Sequence, residues 1–201
     1  MNEETKKAQA SWEASDPRPS DPARRNEDGS AGEGIPPMKI DETVWIADGA
    51  KIIGDNIVIG AHSSVWYNAV IRSDEGEYVH IGERTNLQDL TMIHTSPGSS
   101  VTIGSGVTIG HSCIIHGCTV GDHALIGMGT ILLDGCSIGK NALIGAGSLV
   151  TRNTVIPEGC MAFGRPAKVV RALTADEIAA NRQTAEHYVR DAGIRKERTD
   201  E

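Results

Sequence analysis

Aliphatic residues recur at every sixth position through most of this chain. This interval is neither the period of two of a plain β-strand nor the 3.6 of a helix, so it indicates a structural repeat. A chain that turns a corner every six residues closes a triangular coil every three repeats, with one aliphatic side chain pointing inward on each side. The pattern therefore predicts an all-β solenoid, a parallel β-helix, over residues 38–170. The predicted inward residues are Ile53, Ile59, Val65, Ile71, Ile81, Leu87, Ile93, Ile103, Ile109, Ile115, Val120, Ile126, Leu132, Ile138, Ile144, Val150 and Ile156.

The repeat is interrupted twice and is followed by a different pattern. Ten positions separate Ile71 from Ile81, and ten separate Ile93 from Ile103, so we predict a loop in each interval. Beyond the coils, the segment Thr174-Ala175-Asp176-Glu177 matches a helix capping box, and an apolar stripe continues to about Asp191. We predict a C-terminal α-helix within residues 171–201 that packs along one side of the solenoid or covers one of its ends.

The N-terminal segment, residues 1–37, combines charged residues, Ser and Pro with very few aliphatics. Such a segment cannot bury enough apolar surface to offset its ordering entropy, so we predict a disordered arm. Its acidic residues argue against a mitochondrial transit peptide, and it lacks the apolar stretch of a secretory signal. The chain also has no run of about 18 apolar residues that could span a membrane. We therefore expect a cytoplasmic protein.

Amino-acid composition and net charge indicate how the core is built and which binding partners are unlikely. Glycine contributes 23 residues and aromatics only 3%, which fits a core of small aliphatic side chains in a backbone that turns often. The net charge of -8 argues against nucleic acid or an anionic membrane surface as a partner. The four cysteines have no CxxC spacing, and we interpret them as small core-filling residues, although Cys118 and Cys136 lie in adjacent coils.

One side of the predicted coil carries a column of outward polar residues. Three inward aliphatics of that side are each followed by a polar residue, and these residues are Arg72, His94 and His116. Side chains alternate along a strand, so all three point outward. Adjacent strands lie about 4.8 Å apart, which allows two imidazoles to converge on one metal ion at about 2.0–2.1 Å per bond. We predict that His94 and His116 chelate a metal ion together.

A third histidine, His111, falls near a corner of a different side, in the same column as Asp89. From there it does not easily reach an ion held by His94 and His116 of its own chain. A ligand from another subunit is the natural completion of the site, and a cyclic homotrimer with three interfacial sites provides it. We therefore predict a homotrimer in which His111 of one chain faces the histidine pair of its neighbour.

The segments around these histidines resemble the signature of the gamma-class carbonic anhydrases, which are hexapeptide-repeat, left-handed β-helix proteins. The resemblance covers roughly residues 40–170, and it alone implies the left hand of the predicted helix. It also implies that His94, His116 and the neighbouring chain's His111 bind zinc, or iron or cobalt. The segments that carry it are Ile71-Arg72-Ser73-Asp74-Glu75-Gly76, Asn86-Leu87-Gln88-Asp89, His94, Gly110-His111-Ser112 and His116-Gly117-Cys118.

The same resemblance implies roles for the polar residues around the ligands. Arg72, Asp74 and Asp89 are expected to form ion pairs across the trimer interface. Asn86 and Gln88 are expected to help place the substrate. The implied reaction is the reversible hydration of carbon dioxide to bicarbonate, for which a three-histidine metal lowers the pKa of a water molecule to roughly 7.

Proton removal is the step for which the sequence departs from the family pattern. Two loop glutamates serve this step in the family, and Glu75 matches one of them. The loop Thr95-Ser96-Pro97-Gly98-Ser99-Ser100 contains no glutamate, so the second is missing. This departure leaves open a metal-binding structural or assembly protein with little hydration activity.

Two further alternatives remain open at the level of sequence. Hexapeptide-repeat acyltransferases share the coil pattern and a closing segment like Gly164-Arg165-Pro166-Ala167-Lys168, so fold alone does not decide the function. The histidine trio favours the carbonic anhydrase. Relatives of that family also include thioesterases. Tyr188 either anchors the C-terminal helix or reaches the site with its hydroxyl.

Overall fold

The protein is described by a computed structural model covering residues 37–74 and 76–199. The predicted N-terminal arm lies outside the described residues except for its last position, and so does Glu75. The described chain forms a parallel β-solenoid of 21 short strands followed by one α-helix, α1 (Ala175–Thr199).

Up to β20, each strand of the solenoid pairs with the strand three places away along the chain, so the coil has three sides, which we call sheets 1, 2 and 3. All pairings are parallel except the last one of sheet 2, between β20 and β21. Sheet 1 contains β1 (Lys39–Ile40), β4 (Ile57–Ile59), β7 (Val79–Ile81), β10 (Val101–Ile103), β13 (Thr119–Val120), β16 (Ser137–Ile138) and β19 (Val155–Ile156). Sheet 2 contains β2 (Trp45–Ile46), β5 (Ser64–Val65), β8 (Asn86–Leu87), β11 (Thr108–Ile109), β14 (Leu125–Ile126), β17 (Leu143–Ile144), β20 (Cys160–Gly164) and β21 (Ala167–Ala172). Sheet 3 contains β3 (Lys51–Ile53), β6 (Val70–Arg72), β9 (Met92–His94), β12 (Ile114–His116), β15 (Ile131–Leu132) and β18 (Leu149–Val150).

The six-residue repeat forms the core. Every predicted inward aliphatic is buried except Ile53, which is 50% exposed. The prediction for Ile53 is wrong by one residue, because Ile52 pairs with Ile71 while Ile53 pairs with Arg72. Seven positions separate Ile52 from Ile59, one more than the regular repeat, so the additional residue lies in the corner that joins sheet 3 to sheet 1.

The other sequence predictions for the solenoid are confirmed. The two interruptions of the repeat are the segments 73–78 and 95–100, which connect sheet 3 to sheet 1 in two successive coils. All four cysteines are buried and free, and Cys113, Cys118 and Cys136 belong to the main core. Burial raises the pKa of the Cys113 thiol to about 11, as expected for a cysteine that serves as a small apolar side chain.

Helix α1 begins with the predicted capping box and packs along sheet 2. The backbone N–H of Glu177 donates to Thr174 Oγ1 at 3.2 Å, and the backbone N–H of Thr174 donates to Glu177 Oε2 at 2.9 Å. The helix continues beyond the predicted end near Asp191 because Ala192, 4% exposed, packs with Trp45 and Trp66 of the first two coils. No described helix is long and apolar enough to cross a membrane.

Glu177 provides a pH-dependent anchor for this helix. Hydrogen bonds from Arg171 and Thr174 lower the pKa of Glu177 from its ordinary 4.5 to about 2. A carboxylate with a lowered pKa in the folded state stabilises the protein above its ordinary pKa, and the contribution is lost as the pH falls towards 2. We expect Glu177→Gln to lower the melting temperature at pH 7, with the difference from wild type shrinking between about pH 5 and pH 2.

Thermal melts followed by circular dichroism across this pH range test the expectation. Asp176→Asn is the matched control, since it removes the same charge from the same first turn without touching the bonds to Thr174 and Arg171. A Glu177→Gln difference that stays constant over the whole pH range contradicts the proposed anchor.

Candidate metal centre

The first part of the candidate site is the histidine pair on sheet 3. His94 and His116 end β9 and β12 and are paired directly in the parallel register. The His94 Nδ1 and His116 Nε2 atoms lie 3.2 Å apart, and the two ring centroids are separated by 5.0 Å. The predicted column is therefore present, and both side chains point outward from the coil.

The spacing of these two nitrogens fits a shared metal ion. Two ligands bound at about 2.05 Å in a tetrahedral arrangement are about 3.3 Å apart. The observed 3.2 Å is close to that value. Imidazole nitrogens are also ligands that zinc, iron and cobalt accept.

Arg72 and Asp74 lie beside His94 in the same chain. Asp74 Oδ2 is 2.8 Å from His94 Nε2, and Arg72 Nη2 is 2.6 Å from the same nitrogen. Arg72 Nε is also 3.5 Å from Asp74 Oδ1. Because one imidazole nitrogen either donates to the carboxylate or accepts from the guanidinium, the two contacts compete. All three side chains thus form one cluster at the end of the histidine column.

Asp134 lies on the other side of the pair. Its Oδ1 is within hydrogen-bond distance of His116 Nδ1, and its Oδ2 contacts Arg152. Partial burial raises the pKa of Asp134, but the hydrogen bond and charge of His116, together with Arg152, outweigh this effect and hold the pKa below its ordinary value.

His111 occupies the corner after β11, as the sequence analysis predicts. Its Nδ1 lies 2.8 Å from Asp89 Oδ2, and 42% of its side chain is exposed. Because this contact uses Nδ1, Nε2 is the ring nitrogen available to a ligand. Burial raises the pKa of Tyr188, and the negative charges of Asp89 and Asp191 raise it further.

Asn86 and Gln88 lie on sheet 2, in the coil next to His111. Gln88 Nε2 donates to Asn86 Oδ1 at 3.1 Å, and Asn86 Nδ2 donates to Thr108 Oγ1 at 3.0 Å. Both residues are buried, at 1% exposure for Asn86 and 5% for Gln88. The two amides are therefore held in fixed orientations.

The loop without a glutamate is fixed by a glutamate from the preceding coil. Ser96 and Ser99 pair in a tight antiparallel bridge at the tip of the loop. Glu77 Oε1 accepts from the backbone N–H of Gly98 at 2.6 Å, and Glu77 Oε2 accepts from Ser100 Oγ at 2.7 Å. The sequence analysis did not identify Glu77, whose contact with the loop depends on the stacking of two interrupted repeats.

The predicted site residues therefore fall into two groups in one chain. The sheet 3 group contains His94, His116, Arg72 and Asp74. The corner group contains His111 with Asp89, and the buried amides Asn86 and Gln88 lie in the coil beside it. Within residues 37–74 and 76–199, no set of three or more His, Cys, Asp or Glu side chains is placed to hold a metal ion, so His111 does not complete the pair in its own chain.

Comparisons with known proteins identify the family. The family model described as "Bacterial transferase hexapeptide (six repeats)" matches residues 117–152. "Gamma carbonic anhydrase 2, mitochondrial" of Arabidopsis thaliana is 44% identical over 161 residues, which are 77% of this chain and 57% of that protein. "Carbonic anhydrase" of Geobacillus kaustophilus is 48% identical over 151 residues, which are 75% of this chain and 82% of that protein. This chain belongs to the gamma carbonic anhydrase family.

Membership confirms the resemblance found in the sequence and supports the left-handed form of the solenoid. A crystal structure described as a hexapeptide transferase family protein from Anaplasma phagocytophilum superposes with a TM-score of 0.72 at 42% identity, covering 76% of this chain and 89% of that one. The fold is therefore shared with proteins named as transferases, and the chemistry must be argued from the site. The chain spans only 57% of the length of its plant relative.

Asp134 and Arg152 are site residues that the sequence analysis missed. Each follows an inward aliphatic by two positions, Asp134 after Leu132 and Arg152 after Val150. Both aliphatics belong to the same side of the coil as Ile115. The members of the Arg72, His94 and His116 column follow their aliphatics by one position, so extending that column leads to Leu133 and Thr151 and passes Asp134 and Arg152 by one residue.

Proposed function

We propose that the protein is a homotrimeric, metal-dependent carbonic anhydrase that interconverts carbon dioxide and bicarbonate. Each site would hold a zinc, iron or cobalt ion on His94 and His116 of one chain and His111 of the next. The observation that carries the proposal is the 3.2 Å separation of the two ring nitrogens on sheet 3. Membership of the gamma carbonic anhydrase family supports the same reaction.

The outer face of sheet 3 supports assembly with a second copy of the chain. Side chains that precede the inward aliphatics point outward, and on this face they form an apolar stripe across five successive strands. Met92 and Ile114 in its centre are 39% and 40% exposed. Contiguous exposed apolar surface of this kind is characteristic of a protein interface. The members of the stripe are Val70, Met92, Ile114, Ile131 and Leu149.

Such an assembly brings the corner group of one chain to the histidine pair of another. His111 would present Nε2 as the third nitrogen ligand, with Nδ1 held by Asp89. A divalent ion on three histidines supplies a Lewis acid that lowers the pKa of a water molecule to roughly 7. The buried amides of Asn86 and Gln88 would orient the substrate by hydrogen bonds, since their own hydrogen bonds prevent rotation.

Proton removal then requires an acceptor group. Glu75 is the carboxylate that the family pattern assigns to this step, and we retain it as the proposed proton acceptor. Arg72 and Asp74 are proposed to hold the subunit interface, and Asp89 to orient His111 there. A slow proton step would give a trimer that binds metal fully but turns over slowly.

Mass, metal content and stopped-flow hydration of carbon dioxide test the proposal on purified protein. We expect a mass three times that of the 21.3 kDa chain and up to one metal ion per chain. His116→Ala removes one nitrogen of the pair, so we expect it to lose the metal and the activity. His80→Ala, which changes an exposed histidine on sheet 1, is the matched control and keeps both.

Metal retained at full stoichiometry in His116→Ala refutes the assigned site. Acyl transfer is the second candidate function, favoured by the 42% identity to the hexapeptide transferase family protein. A fully metal-loaded wild type that transfers acetyl groups from acetyl-coenzyme A and does not hydrate carbon dioxide would establish that alternative.

A further inference from the structure

We propose that Asp134 is a positioning residue that fixes the tautomer and orientation of His116. By accepting a hydrogen bond from Nδ1, it leaves the lone pair of Nε2 directed at His94. The tautomer follows from contacts within one chain. Its consequence for metal affinity rests on the proposed function.

The two carboxylate oxygens of Asp134 contact different partners. Oδ1 meets His116 Nδ1, and Oδ2 meets the guanidinium of Arg152 from the next coil. A carboxylate held at both of its oxygens has little freedom to rotate, so it holds the imidazole in a single orientation.

Asp134 is less exposed than the carboxylates beside the other two histidines. Asp74 and Asp89 have side chains that are 46% and 34% exposed, whereas that of Asp134 is 13% exposed. Water competes less for a less exposed carboxylate, so its hydrogen bond restricts its partner more strongly. Histidines that bind metals commonly donate their second N–H to such a carboxylate, and loss of that partner typically lowers metal affinity 10–100-fold.

The backbone beside His116 is shaped for this contact. Gly117 has φ of +53°, and a Cβ atom there would lie 2.7 Å from Asp134 Oδ1 and 2.8 Å from Ser99 Cβ. A side chain at position 117 would therefore push the carboxylate away from the histidine. Gly117, in its left-handed conformation, thus leaves room for Asp134 beside His116. His94 has no such arrangement, because the next residue there is Thr95.

Selective ¹⁵N labelling of histidine tests the tautomer in the metal-free protein. Long-range ¹H–¹⁵N NMR at pH 8.5 should show His116 with Nδ1 protonated and Nε2 unprotonated, with His116→Gln identifying the signal. Asp134→Ala should convert His116 to the Nε2-protonated form or to a mixture of both. Asp134→Asn offers only one acceptor oxygen to the two donors His116 Nδ1–H and Arg152, so it should give a mixture of the two tautomers.

Metal affinity provides the second readout, measured by competition with a chelator. We expect zinc or cobalt affinity to fall about 10–100-fold in Asp134→Ala and less in Asp134→Asn. Asp122→Ala, which removes an exposed corner carboxylate that caps Ser105, should bind as wild type does. Circular dichroism and the trimer mass confirm that each variant is folded.

The two readouts separate this inference from the proposed function. Wild-type protein with His116 protonated at Nε2 overturns the inference, and so does Asp134→Ala that binds metal as tightly as wild type. Wild type that binds no metal refutes the proposed function. In that case the tautomer comparison still decides the role of Asp134.

Discussion

Co-expressing His111→Ala chains with His116→Ala chains is expected to restore metal binding that neither variant has alone. Each variant by itself should lose more than about 100-fold in metal affinity, since even a lost outer partner costs 10–100-fold. In a mixed trimer, a His111→Ala chain still supplies His94 and His116, and an adjacent His116→Ala chain still supplies His111. Every trimer that contains both variants then has one intact site out of three.

Metal content per trimer after tandem purification with two different affinity tags measures this recovery. A mixture of His94→Ala with His116→Ala chains is the control, because both changes damage the same side of every interface. No intact site can form there, and no recovery is expected. Recovery equal in both mixtures, or absent from both, would contradict a site shared between chains.

Replacing Ile114 by Glu is expected to dissociate the trimer. Ile114 lies in the centre of the apolar stripe on sheet 3, and its Cα partners on either side are Met92 and Ile131. Burying an unpaired carboxylate against such neighbours costs on the order of several kcal/mol per chain. Light scattering should therefore give the mass of a single chain at micromolar concentration, and bound metal should fall with the trimer.

Val155→Glu is the matched control for this change. Val155 is 45% exposed on the outer face of sheet 1, which the proposed assembly leaves in solvent. We expect that variant to remain trimeric and to keep its metal. A trimeric Ile114→Glu protein would instead mean that sheet 3 is not the face between chains.

The six-residue repeat was sufficient to predict the coil because each repeat buries its own aliphatic. A periodic pattern fixes which residues stack, and parallel pairing then follows between strands three apart. It failed at Ile53, where Ile52 is the inward residue, because the corner there contains one more residue than the repeat. The length of α1 was also underestimated, since the contacts of Ala192 with Trp45 and Trp66 join the two ends of the described chain. Such distant contacts leave no periodic signal in the sequence.

The repeat made predictable those residues of the candidate site that occupy equivalent positions in successive coils. His94 and His116 could be placed together because they follow aliphatics of the same side in consecutive coils. The partnership of Asp134 with His116 was missed because it joins positions that are not equivalent in their repeats. His116 follows its aliphatic by one residue, while Asp134 follows its aliphatic by two, and only the turn at Gly117 brings them into contact. The contribution of His111 from a neighbouring chain remains a prediction.

The antiparallel hairpin formed by β20 and β21 has a consequence for how the molecule behaves at high concentration. A stack of parallel strands ends in unsatisfied backbone amides and carbonyls that can template another chain. At the C-terminal end of sheet 2, the chain doubles back between Gly164 and Ala167 and places its own reversed strand on that edge. A second solenoid stacked end to end would need a parallel partner strand here. It meets a strand that runs in the opposite direction, which disfavours head-to-tail growth into fibres.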